Sequence, residues 1–453
     1  MAQADETALS MPPRKATLPL SPVLRWATLG LLALGALVAF VDRTNISAAI
    51  AVDSFKDYFN LSDLDRGFIN SAFFWSYAAL QVPMGWIVDR YGVKYPYAIC
   101  FGIWCLASAA IGLTTVFWAL ILLRLFVGAA EAVVVPSTYR WIRTNFDPNE
   151  SGLAVGIYML GTKLGPAIGA PLAAWLIVHF DWKLMFLMTG AAGLLWLIPW
   201  FFLAKNDWPK STDVAQKKKA ASSVPVSNIF SSPLVWGTLV VNFCYNYFTF
   251  FCLTWMPAYL VEQRGLSLQA MGLYTFYTFM GIALVSLTAG FVADRLIKRF
   301  GSPIFIRKAF VISGFVLACT VLLGARAETV QEALFWNVFS LSALGLTTSN
   351  NIVLCSLTLI PQQVVGFVKG FQNVATASAG ILAPIITGWL LHVTGSYVAP
   401  MTCIFFFLVL GAATVLLVLR PQWAPRIPGE EPASFEDEIN LFRLISNRFS
   451  KSR

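Results

Sequence analysis

The sequence predicts an all-α membrane protein with twelve spanning helices in two halves of six. Composition is the first observation: of 453 residues, 57% are hydrophobic and 12% charged, about half the charge of an average soluble domain. Spacing is the second. The apolar residues gather into twelve runs that begin near Leu24, Gly67, Val93, Val116, Ser151, Lys183, Pro233, Gln269, Pro303, Gln331, Gln362 and Ser396, and a span needs about 20 such residues. The third is a polar stretch, 205–232, rich in Lys, Ser and Ala, that divides the runs six and six.

Residues 1–23 carry Asp5, Glu6, Arg14, Lys15 and several prolines, without an apolar core and a small-residue cleavage site; they read as a cytoplasmic lead and not as a signal peptide. The first six runs fill 24–204 and the second six 233–420. Each is long, non-alternating and rich in Leu, Ala and Gly, whereas a membrane barrel needs short alternating strands. Helices then satisfy the backbone in lipid. The linker 205–232 holds Lys217, Lys218 and Lys219. In the tail 421–453, acidic, apolar and basic side chains alternate after Ser434, as in a surface helix or a solvated segment. With both chain ends and the linker on one side, 24 of the 32 basic residues collect there, and the positive-inside rule makes that side cytoplasmic.

The net charge of +9 therefore sits in short loops between apolar runs, which argues for topology and against nucleic acid. All seven cysteines lie inside apolar runs with no Cys-x-x-Cys spacing, and there are two histidines. A metal cluster or a Ser-His-Asp triad has little raw material. No enzyme and no cofactor is expected.

The halves resemble each other. Gly85-Trp-Ile-Val-Asp89-Arg90 returns as Gly290-Phe-Val-Ala-Asp294-Arg295, and Ala170-Pro171 with His179 returns as Ala383-Pro384 with His392. Parallel six-helix repeats place a transporter's site at their interface. The loop Gly85-x-x-x-Asp89-Arg90-x-Gly92-x-Lys94 resembles the signature loop of the major facilitator superfamily, in which such a turn docks on a neighbouring helix end and locks the cytoplasmic side. Within that superfamily, Asp42-Arg43-x-Asn45 in the first run and Thr254-Trp255-Met256-Pro257-x-Tyr259-Leu260 at the outer part of the seventh are similar to the anion:cation symporters, which include sugar-acid transporters, sialin and vesicular glutamate transporters. The resemblance covers about Val23 to Arg420 and implies proton-coupled transport of organic anions.

Five ionisable residues fall deep in the runs: Asp42, Arg43, Arg124, Glu131 and Lys163. Each costs about 2.5–3.5 kcal/mol at the bilayer centre and asks for a partner or a water-filled cavity. All five lie in the first half, as one shared cavity requires. Asp42 and Arg43 are adjacent, so on a helix they point about 100° apart and face different partners. Arg43 is the candidate carboxylate anchor, because a guanidinium fork binds a carboxylate bidentately and stays charged; the resemblance implies the same role. Glu131 and Asp42 are candidates for the coupled proton, since a carboxylate out of water is more readily neutralised. Static pairing with Arg43, Arg124 or Lys163 is the alternative for both. Arg124, recurrent near the start of the fourth helix across the superfamily, is assigned a structural role as readily as a functional one. Lys163 reads as a second cationic anchor suited to a diacid or polyol, or as an ion pair with Glu131 or Asp42.

Polar neutral residues complete the lining: Tyr77, Thr162, Asn242, Asn246, the run Thr347 to Asn351 with Asn350 in it, Gln372 and Asn373. The resemblance implies substrate contacts for Tyr77 and Asn373. Gly85, Asp89, Arg90, Asp294 and Arg295 are the gating residues. Gly161-x-x-x-Gly165-Pro166-x-x-Gly169 also resembles the antiporter motif of drug exporters, or lets the fifth and eighth helices pack closely. Three bases against two acids favour an anion over a lipophilic cation. The reading is a monomeric proton symporter of a small organic anion, such as a hexonate, hexuronate or hexarate, in a bacterial inner membrane; a proton-coupled exporter is the alternative.

Overall fold

The computed structural model describes residues 21–205, 226–361 and 364–425. The lead up to residue 20, most of the linker, the start of the eleventh run at Gln362 and the tail beyond residue 425 lie outside the described residues. The architecture is all-helical: α1 Pro22–Ile50, α2 Asp63–Tyr91, α3 Lys94–Ile111, α4 Phe117–Asn145, α5 Pro148–His179, α6 Trp182–Leu203, α7 Pro233–Thr254, α8 Leu268–Phe300, α9 Pro303–Arg326, α10 Val330–Val353, α11 Val365–Thr394 and α12 Val398–Leu417. Among the described residues, eleven helices are long and apolar enough to cross a membrane. The other long helix, α2, has 29 residues, about 43 Å of rise; Asn70, Ser71, Ser76, Tyr77 and Gln81 dilute its apolar run.

Local chemistry sets the helix ends. Ser232 and Thr329 cap α7 and α10 by accepting from the backbone three residues on. Between α1 and α2 lies a short helix, Asp53–Phe59, closed by Asn60 in the left-handed conformation with φ 50°. Ser62 then caps α2 in a capping box with Asp65. The sequence Asn60-Leu-Ser62 is thus a stop followed by a start.

We call the end of the bundle reached by Ile50 the upper face and the end carrying the α2–α3 loop the lower face. Helices α1–α6 and α7–α12 form two halves that cross where α5 meets α8 and α2 meets α11. Small residues make both crossings possible: a Cβ on Gly272 would lie 2.8 Å from Pro171 Cα, and one on Gly67 would lie 2.8 Å from the Pro384 carbonyl. Both approaches sit toward the upper face. Nearer the lower face Asn373 of α11 is exposed.

Candidate substrate site between the two halves

From Leu29 helix α1 is apolar until Asp42-Arg43-Thr44-Asn45, and all four of these residues are buried. Charge without water needs a partner, and Arg43 finds Glu131 of α4. Its Nε and Nη2 donate to the same oxygen, Glu131 Oε2, at 2.9 and 2.8 Å. Glu131 is fully buried, and its Oε1 has no partner among the described residues. Gly128, one turn earlier, has no room for a side chain against the Phe73 carbonyl of α2, so α4 and α2 approach closely. Phe40, Phe73 and Tyr77 wall the guanidinium, with ring centroids 4.3, 4.5 and 5.1 Å from its central carbon.

Asp42 turns the other way. Its Oδ1 accepts from Ser108 Oγ of α3 at 3.2 Å and from Asn45 Nδ2 at 3.5 Å, and its Oδ2 is buried without a partner among the described residues. Asn45 also donates to Thr189 of α6 at 3.0 Å. Arg124 donates from Nε to the Ile69 carbonyl at 3.4 Å and lies 5.1 Å over Phe73. The geometry therefore joins Arg43, Glu131 and Tyr77 directly, with Asp42 and Arg124 in the walls on either side.

Lys163 stands apart. It is half-buried and, among the described residues, makes no hydrogen bond or ion pair. Gly161, Gly165 and Gly169 of α5 pack against Ala33, Phe40 and Val41–Thr44 of α1. That corrects the expected partner of the glycine motif, which is α1 and not α8; only a helix without side chains on that stripe can lie so close. Lys163 is two residues off the stripe, about 200° round the helix. It shares a stripe with Ala170, Pro171 and Ala174, which meet Gly272 of α8 two turns higher. Lys163 therefore lies on the side of α5 that meets the second half two turns higher.

The remaining polar residues divide. Tyr77 stays beside Arg43, while Thr162 spends its hydroxyl on the Met159 carbonyl at 2.7 Å. Asn373 is exposed on α11, two turns below Gly380, whose face meets Phe74 of α2. Asn350 lies elsewhere: it is fully buried, its Oδ1 accepts from Arg307 Nη1 at 3.1 Å, and its Nδ2 donates to the Leu346 carbonyl at 3.1 Å. Its neighbours bind helix to helix, with Thr347 on the Val311 carbonyl, Thr348 on Tyr245 and Ser349 on the Ser286 carbonyl. Asn246 donates to Thr376 and Gln372 to Thr238. This density is mostly interhelical bonding within the second half.

At the lower face each repeated loop is tied inside its own half. Asp89 accepts from Arg140 of α4 at 3.0 Å, and Gly92 turns the chain with φ 78°. Asp294 accepts from Arg307 of α9 at 2.7 Å, which links it onward to Asn350. Arg90 and Arg295 lie over Trp86 and Phe291. A cavity of about 530 Å³ opens beside the first loop, with Asp89, Tyr139, Arg140, Arg143, Ser151 and Val155 in its wall.

Residues 32–384 match the family model of the Major Facilitator Superfamily. The chain belongs to the major facilitator superfamily. It is 29% identical over 396 residues to the hexuronate transporter of Bacillus subtilis (strain 168), covering 86% of this chain and 93% of that protein. It is 27% identical to the D-galactonate transporter of Escherichia coli O6:H1, with 87% and 95% covered, and 26% identical to a probable galactarate/D-glucarate transporter of Bacillus subtilis, with 88% and 92% covered. Among solved structures it resembles a bacterial homologue of the human lysosomal transporter Spinster in an inward-facing, occupied conformation, with TM-score 0.71 and 18% identity over 88% of this chain and 97% of that one. These relatives are transporters and not enzymes, and sugar-acid carriers of the superfamily stand among them. The chain is an integral multi-pass membrane protein.

For this superfamily member, sequence reasoning missed Arg140 and Arg307. Each is a loop-facing arginine near the lower face, grouped there with the topogenic bases, and only its distance from Asp89 or Asp294 separates a tether from a charge in a loop.

Proposed function

We propose that this chain is a proton-coupled symporter that takes up a small organic anion, a sugar acid of the hexonate, hexuronate or hexarate kind, across a bacterial inner membrane by alternating access. In this reading α2 is the twelfth span, both chain ends and the lower face are cytoplasmic, and the state described is closed above and open below. The protein works as a monomer, with the bilayer, protons and the anion as its partners.

The Arg43–Glu131 pair carries the reading. The two donors that Arg43 turns to Glu131, Nε and Nη2, rest on one oxygen, so a substrate carboxylate offers the fork a better, two-oxygen acceptor. Once displaced, Glu131 is a buried carboxylate without its cation, a costly state that a proton removes. Binding of anion and proton is coupled because each breaks the same pair from its own side, the anion by taking Arg43 and the proton by taking Glu131, so that each favours the other. Protonation of Glu131 frees Arg43, and the anion then takes its place. Asp42, with one buried oxygen unused, is the second proton carrier. Lys163 and Tyr77 complete the pocket, Lys163 by charge and Tyr77 by its ring and hydroxyl. In this reading Asn373 of α11 meets substrate hydroxyls, and Thr162 of α5, whose own proton goes to the Met159 carbonyl, can only accept from one. Arg124 holds the wall, and Gly85, Asp89, Arg90, Asp294 and Arg295 keep each half rigid while it rocks.

Export of drug-like compounds rests on the glycine motif of α5. Its packing on α1 supports a use that any such bundle has for small residues. Melting of the detergent-purified protein with hexuronates, aldonates, aldarates, aromatic acids and lipophilic cations separates the two readings. A ligand at 100 times its dissociation constant adds about 2.7 kcal/mol, so sugar acids are expected to raise the melting temperature. A rise with lipophilic cations alone would favour the exporter.

Lys163→Gln is expected to weaken binding of dianionic hexarates about tenfold while hexonates change little, because one close charge pair is lost. Isothermal titration of both classes measures it. Equal losses for mono- and dianions would assign Lys163 to pairing with a protein carboxylate.

A further inference from the structure

Outside the central site, one carboxylate collects partners from both halves on the upper face. Glu262 lies in the π-helical turn Tyr259–Gln263 that follows α7; such a turn carries an extra residue and is frequent at functional sites. Glu262 Oε1 lies 2.8 Å from Lys56 Nζ and 2.8 Å from Arg66 Nη2. Its Oε2 accepts from the Tyr397 hydroxyl at 2.8 Å. Lys56 belongs to the helix Asp53–Phe59 and Arg66 to α2, in the first half, whereas Glu262 and Tyr397 belong to the second. Arg66 also lies 4.8 Å over the ring of Trp255, whose Nε1 donates to the Pro384 carbonyl at 3.1 Å. The cluster therefore sits on the crossing that closes the upper face.

These charges can part without being stranded. Lys56 has a second partner in Asp53 at 2.8 Å, and Arg66 has one in Asp63 at 2.7 Å, each three residues back on its own helix. Glu262 keeps Tyr397, and its side chain is 22% exposed, so water replaces the lost cations. Were these the only partners, separation would leave bare charges and the face would stay shut. As arranged, Glu262 joins the halves when they are together, and each half is internally paired when they are apart.

We infer that Glu262 is the latch of the upper gate, holding Lys56 and Arg66 across the halves and setting how often the cavity opens to that face. The inference rests on alternating access as proposed above, not on the identity of the anion.

Ala174 of α5, fully buried against Gly272 of α8, is covered only while the upper crossing is closed. In detergent-purified Ala174→Cys protein, alkylation by a water-soluble maleimide, above that of the protein without this cysteine, reports parting of the halves. Glu262→Gln keeps an oxygen and an amide for Tyr397 but releases both cations; it is expected to raise the alkylation rate about 3- to 10-fold. Lys56→Gln, which leaves Arg66 on Glu262, is expected to raise it by a smaller factor. An unchanged rate in both variants, in protein that melts as the parent does, overturns the latch alone. Absence of labelling in every variant, with and without sugar acids, overturns alternating access and the latch with it.

Discussion

Arg43→Ala is expected to abolish sugar-acid binding, raising the dissociation constant by about two to three orders of magnitude, as for removal of one partner of a buried charge pair. The substitution does two things at once, because Arg43 also neutralises Glu131. A buried carboxylate that loses its cation costs about 3–5 kcal/mol unless it is protonated, so the single variant is expected to melt well below the parent. The double variant Arg43→Ala with Glu131→Gln removes the stranded charge and is expected to recover most of that stability while still failing to bind. Isothermal titration and thermal melting of the two variants separate anchor from strut. Binding that returns with stability in the double variant would mean that Arg43 only holds Glu131.

Glu131→Gln is expected to split transport into its two components. Glutamine leaves Arg43 charged and free to take a carboxylate, so counterflow of labelled substrate in proteoliposomes is expected to persist. Uptake driven by an inward proton gradient should lose accumulation, because no charge at this position is left for the proton to cancel. Retained uphill uptake in Glu131→Gln would move the coupling to Asp42, the other buried carboxylate with an unpartnered oxygen. The single-oxygen contact in the structure sharpens this expectation: Glu131 Oε1 is already free of partners, so the same carboxylate can accept a proton before Arg43 leaves.

Some parts of the molecule were readable without coordinates because they depend on local rules. The length and spacing of apolar runs set the helices, since a spanning segment must satisfy its own backbone whatever surrounds it. The adjacency of Asp42 and Arg43 was enough to send them to different partners, as a helix turns about 100° per residue. The cost of charge in lipid marked Asp42, Arg43, Arg124, Glu131 and Lys163 as residues with a task.

Other parts depend on which helix lies beside which, and a single sequence does not carry that information. Asn350 and Asn373 are both polar residues of apolar helices, yet one is sealed against Arg307 and the other is exposed. The glycines of α5 announce close packing but not that α1 is the neighbour. Glu262, Lys56 and Arg66 read as ordinary loop charges until a π-helical turn and the crossing of the halves bring them within 2.8 Å.

The sequence by itself determined a helical membrane protein with duplicated halves and a charged interior in the first of them, because hydrophobicity, helix period and the price of buried charge act along the chain. Only the tertiary structure decided that Arg43 rests on Glu131 and that Glu262 meets Lys56 and Arg66 across the halves. Those are pairings between residues 88 to more than 200 positions apart, and hydrogen bonds and ion pairs act only over a few ångströms, so packing chooses among partners that the sequence leaves equally available.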